Sequence, residues 1–127
     1  MFQPVKLSQD SFVKIFQLLP CPAGVSTFHA GSILEVNDAF CDTFGYTPEE
    51  VKGASALELG LWFDTKDREQ AINILRQTGS LHNFETRFRK KDNSIIWISF
   101  NAEILEVDGV KFLLIVMMDI SHQKMQS

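Results

Sequence analysis

No stretch of this 127-residue chain approaches the roughly 20 consecutive apolar residues that a membrane-spanning helix needs. Its first residues also lack the basic start and apolar core of a secretion signal. Cysteine is nearly absent. Cys21 and Cys41 stand in no CxxC or zinc-like spacing, which argues against a disulfide framework and for reduced thiols in a cytoplasmic setting. Histidine is almost as scarce: His29, His82 and His122 form no HxxxH pair, so no metal site is expected. The nucleophile elbow GxSxG, the P-loop and the GxGxxG fingerprint are all missing. Without a nucleophile, base and orienting group in reach of one another, the chain is not expected to be an enzyme. A net charge of −4 offers no electrostatic reason to bind nucleic acid. The one basic run, Arg87, Arg89, Lys90 and Lys91, reads as a solvated strand end. Neither internal repeats nor low-complexity linkers occur.

What the chain does have is apolar and flat. Hydrophobic residues make up 45% of it, with eleven Phe among them, enough for one domain with a substantial core. Ser8, Asp10 or Ser11 can cap a first amphipathic helix in which Phe12, Ile15, Phe16 and Leu19 repeat at helical spacing until Pro20 and Pro22 stop it. Gly24 to Phe28 and Ile33 to Val36 read as paired strands around an Ala30-Gly31-Ser32 turn. Asn37 or Asp38 caps a short helix closed by Gly45. Thr47, Pro48 and Glu50 then form a capping box, and Tyr46 with Val51 a hydrophobic staple. Ala54 to Phe63 reads as a short helix and tight loop. Asp64 or Thr65 starts a longer helix that faces Ala71, Ile72 and Leu75 inward and ends before Gly79. The rest is strand: 82–91, then 94–106, then 110–120, with turns at Asp92-Asn93 and Asp108-Gly109. Helix, two strands, a helical block and three strands make an α+β layout on an antiparallel sheet.

The run Asn37-Asp38-Ala39-Phe40, followed by Phe44-Gly45-Tyr46-Thr47-Pro48-Glu49-Glu50-Val51-Lys52-Gly53, closely resembles the central signature of PAS (sensory-box) domains. Two more family features follow in order: the Trp97 strand after the Lys91-Asp92-Asn93 turn, and Asp119-Ile120-Ser121 in place of the Asp-Ile-Thr exit motif. Together they span residues 8 to 121. The resemblance implies a five-stranded antiparallel sheet with short helices on one face and an N-terminal helix against the other. It divides the chain into an amphipathic flanking helix over 1–22, a PAS sensory domain over 23–121 and the start of an exit linker over 122–127. It further implies an input domain excised from a bacterial sensor histidine kinase of a two-component system, or from a diguanylate cyclase. Asp119, Ile120 and Ser121 would be the signal exit to an output domain in cis, whose type and direction of response the sequence does not name.

Alternation in the last strands separates two faces. Ile96, Ile98, Phe100, Ala102 and Ile104 share one with Leu113, Ile115 and Met117; Trp97 shares the other with Leu114, Val116 and Met118. The inner face, with Phe40, Phe44, Leu57, Trp62, Phe88, Ile98, Phe100, Ile115 and Met117, either fills itself or encloses a pocket for a small, mostly apolar ligand. Thr86, Ser55 and the Trp62 N–H are the polar handles for such a ligand. The outer face needs cover too. A homodimer is the expected solution, built from Phe12, Ile15, Phe16 and Leu19 of the first helix with Trp97, Leu114, Val116 and Met118; the alternative is a helix tucked back in a monomer. The cofactor stays unknown. The resemblance argues against flavin, because Ala56 stands where light-sensing members carry a reactive Cys and Phe88, Ile98 and Met117 stand where they carry amides. It argues against haem as well, because residues 65–78 contain no His and His82 lies beyond that helix.

Overall fold

The computed structural model describes residues 8–126; residues 1–7 of the expected flanking segment and Ser127 of the expected linker lie outside the described part. In chain order the elements are α1 (Gln9–Leu18), β1 (Ala23–Thr27), β2 (Ile33–Val36), α2 (Asp38–Phe44), α3 (Pro48–Val51), α4 (Ala56–Leu59), α5 (Thr65–Thr78), β3 (Ser80–Arg89), β4 (Ile95–Val107), β5 (Val110–Asp119) and α6 (Ser121–Gln126). The strands form one five-stranded sheet in the order β2-β1-β5-β4-β3, with every neighbouring pair antiparallel. The expected α+β class and antiparallel sheet are what the structure shows.

Caps fall where the sequence places them. The Ser8 hydroxyl accepts the Ser11 N–H, and the Asn37 side chain accepts that of Phe40. Thr47 and Glu50 complete the reciprocal box, and Asp64 caps α5. Gly45 closes α2 at φ 84°, a conformation open to glycine at little cost. The β4–β5 hairpin turns through Asp108 and Gly109, both left-handed.

Two features go beyond the sequence pattern. β3 starts at Ser80, two residues earlier than the alternation suggests, because a bulge with Asn83 at φ 53° lies between Leu81 and Phe84. An odd spacing of three would otherwise put these residues on opposite faces; the extra residue turns both inward. Asn101 Oδ1 accepts the Asn83 N–H at 2.8 Å and fixes the bulge. In addition, residues 61–63, expected to be loop, run beside β3. The Phe63 N–H donates to Arg87 O and the Arg89 N–H to Leu61 O. On the far side of the sheet, Gly53 to Ser55 pair in the same way with Ser32 and Ile33.

The core lies between the inner sheet face and the helical block. It contains Phe40, Phe44, Val51, Leu61, Ala71, Leu75, Phe88, Ile98, Phe100 and Met117, all buried. The first helix engages α2 through its end: Gln17 Nε2 donates to Val36 O, and its Oε1 accepts the Asp38 N–H. Phe16 is buried, outside the main core, while Phe12 and Ile15 stay 54% and 49% exposed. No described helix is long and apolar enough to cross a membrane.

Candidate functional site

A cavity of about 130 Å³ lies on the inner side of the β1–β2–β5 half of the sheet, under α4 and α5. A dry apolar cavity of about this size holds a benzene ring. Its floor comes from inward positions of the strands, Gly24, Ser26, Leu113, Ile115 and Met117, with Phe100 of β4. Phe40 of α2, Leu57 of α4, Trp62, and Ala71, Ile72 and Leu75 of α5 close it over. Trp62 is held by the backbone pairing of its segment to β3 and stands edge-on to Phe88, ring centres 4.8 Å apart, and to Phe100 at 5.8 Å. Such perpendicular ring contacts fix the indole plane.

Of the residues expected to face a ligand, Phe40, Leu57, Trp62, Phe100, Ile115 and Met117 meet at this cavity, with Ser55 at its edge. Phe44, Thr86, Phe88 and Ile98 do not line it. They form the solid half of the core: Phe44 packs on Phe40 at 4.7 Å between ring centres and on Phe88 at 6.1 Å. Ile98 is fully buried. Thr86 is no polar handle here, because its hydroxyl donates to Asp67 Oδ2 at 2.7 Å and joins β3 to α5. Ala56 lines the cavity at the start of α4.

The polar side chains of the lining can all donate. Ser55 Oγ accepts the Glu58 N–H and Thr27 Oγ1 the Ser32 N–H, which leaves each hydroxyl proton free to donate. Ser26 also contributes, and among the described residues the one ionised side chain is Arg68 of α5. Arg68 is absent from the expectations drawn from sequence, yet the signal is there. It stands three, four and seven residues before Ala71, Ile72 and Leu75, on the apolar stripe of the helix.

Below the cavity, Asn37 is wholly buried and makes four hydrogen bonds. Its Oδ1 accepts the N–H groups of Ala23 at 2.9 Å and Phe40 at 3.0 Å; its Nδ2 donates to Cys21 O at 2.9 Å and Phe16 O at 3.3 Å. One amide thus joins the end of α1, the start of β1 and the cap of α2. On the next turn, burial raises the Cys41 thiol, and the carboxylates of Asp38, Asp42 and Glu49 add to it. This thiol stays protonated at neutral pH. Lys91, in the β3–β4 turn, donates its N–H to Phe44 O and pairs its ammonium with Glu50. That hydrogen bond, then the Thr47 N–H, holds the Glu50 carboxyl below its ordinary range.

At the exit, the Trp97 N–H donates to Ser121 Oγ at 3.0 Å, the Ile120 N–H to Trp97 O at 2.9 Å, and the Ser121 N–H to Asp119 Oδ1 at 2.9 Å. Lys124 lies over the Trp97 ring and pairs with Glu85. The three expected exit residues therefore form one knot between β4, β5 and α6. On the outer face Trp97, Leu114 and Val116 are half-buried and Met118 is 59% exposed. Leu19 is half-buried too, but Phe16 is turned into the chain and is not available to a partner.

Comparison with known proteins places this geometry. The profile of a PAS domain family matches residues 20–122. Similar solved structures include a PAS domain from a two-component sensor histidine kinase, 18% identical over 87% of this chain and 96% of that one, with a TM-score of 0.75. A PAS domain from Colwellia psychrerythraea is 20% identical over 89% and 97% of the two chains, also at 0.75. The PAS domain of an HTR-like protein from Haloarcula marismortui is 26% identical over 87% and 90%, at 0.68. No curated protein sequence matches the chain.

Proposed function

The chain belongs to the PAS domain family, and from that premise we propose that it is a sensory module of a signal-transduction protein that reads a small, mostly apolar ligand. The observation that carries this reading is the cavity. A well-packed interior leaves few voids larger than a water molecule, whereas here the Phe40, Trp62, Phe100, Ile115 and Met117 side chains stand around space for a ring or a short branched chain.

The route out of the cavity is short. Met117 lines it, and its N–H is held by Pro22 O at 2.8 Å; two residues on, Asp119 caps the turn into α6. A ligand that displaces Met117 shifts the end of β5 against Trp97 and so re-aims α6. Met, with its unbranched polarizable side chain, is suited to filling such a space in the empty state. Kinase or cyclase output in cis, a cytoplasmic setting, the absence of catalytic activity in this domain, and a homodimer through α1 and the outer sheet face complete the reading. The sensor-kinase neighbour supports the first. The exposed Phe12, Ile15 and Met118 support the last.

The rival is a dimerising interaction module whose core needs no ligand. The solid Phe44–Phe88–Ile98 half favours it. Native mass spectrometry of protein purified from its host separates the two. A stoichiometric small molecule in the wild type, lost in Ala71→Leu with its extra bulk in the cavity, supports sensing. A ligand-free wild type whose melting temperature no ring-sized probe raises sinks that reading in favour of the rival.

A further inference from the structure

The charge in the cavity wall narrows the ligand further. Arg68 lines the cavity and also the shallow surface depression it shares with Glu69, Ile72, Asn73 and Arg76, so this half-buried side chain borders both the interior and solvent. It has no ion-pair or hydrogen-bond partner among the described residues. Among the described residues no Asp or Glu lines the cavity, and its polar side chains besides Arg68 and the Trp62 indole are the hydroxyls of Ser26, Thr27 and Ser55. Each of these groups can donate, and none is a fixed negative charge.

An unpaired guanidinium at the mouth of an apolar cavity is a specific arrangement. A neutral apolar ligand would leave those five N–H donors to solvent alone. A small carboxylate would meet them with two oxygens in matching geometry, while its body replaced the missing packing inside. Solvent reaches Arg68, so a ligand can bring its charge there without burying it deeply, which keeps the desolvation cost low. We propose that the cavity takes a small organic monoanion, an aromatic or branched-chain carboxylate of about benzoate size, with its carboxylate on Arg68 and its apolar body between Trp62, Phe100 and Met117. This rests on the sensing reading above and adds the ligand's charge.

Titration calorimetry of the whole chain tests it with two matched pairs: benzoate against benzyl alcohol, and isovalerate against isopentanol. In each pair the body is nearly constant and only the charge differs. The wild type is expected to bind the anion about tenfold or more tightly than the alcohol, and added salt to weaken the anion alone. Arg68→Gln is expected to lose about tenfold for the anions and leave the alcohols unchanged. Arg68→Lys, a charge without the planar fork, falls between. Unchanged melting temperatures for both ligand-free variants show that the fold is intact. Alcohols that bind as tightly as the anions, or anion binding indifferent to Arg68→Gln, overturn the inference and leave the sensing reading standing. Failure of all four probes to bind the wild type overturns this inference; a wild type that is also ligand-free when purified from its host sinks the sensing reading with it.

Discussion

Asn37 shows how much a single residue can hold. As a helix cap it would contribute about 1 kcal/mol, but its amide also closes the backbone of Ala23 and Phe16 in buried positions and that of Cys21 in a part-buried one. Removing a buried partner leaves each of those groups unmatched, at ~1–3 kcal/mol apiece. Asn37→Ala should therefore lower stability by about 3 kcal/mol, a drop of roughly 1–2 M in the urea midpoint. Asn37→Ser, which can still cap Phe40 but not reach the other three, should lie between it and wild type. A loss under about 1 kcal/mol for the alanine variant would mean that the surroundings repack and the amide is only a cap. The sequence shows the capping role through position alone. The other three bonds are invisible there, because they join residues 14 to 21 positions apart.

Among elements, the strands and caps were legible and the cavity's position was not. Alternation at Thr86, Phe88, Ile96 and Ile98 assigns the inner face correctly, since a strand's period is fixed by its pleat. It cannot say which half of that face packs solid. That depends on where α5 lies and on how residues 61–63 pair with β3, both set by contacts between distant segments. Phe44 and Phe88 consequently look as ligand-facing in the sequence as Phe40 and Phe100 do. The last helix carries a test of its own. Ser121→Ala removes the acceptor of the Trp97 N–H, so hydrogen exchange at that amide should speed up about tenfold or more while Phe100 in the middle of β4 keeps its protection. An unchanged Trp97 amide would mean that α6 is held by the Lys124–Glu85 pair and the Trp97 ring instead.

At the scale of the molecule, assembly turns on the exposed apolar residues of α1 and the outer sheet face. If α1 forms the dimer contact, sedimentation velocity should give a wild-type dimer in the micromolar range and a monomer for Phe12→Glu/Ile15→Glu, with unaltered circular dichroism. A wild type that sediments as a monomer at ~100 μM would end the dimer proposal. The manner of association is constrained as well. The outermost strands, β2 and β3, would normally offer unpaired backbone to any passing chain. Residues 53–55 occupy part of one border and residues 61–63 part of the other. The free length of β3 carries the Asn83 bulge, which bends it out of line. A second copy could add a strand only along the parts of β2 and β3 that these segments leave free. Short free borders of this kind give a growing fibre little template, and leave side chains on faces and helices as the larger surface for a second copy.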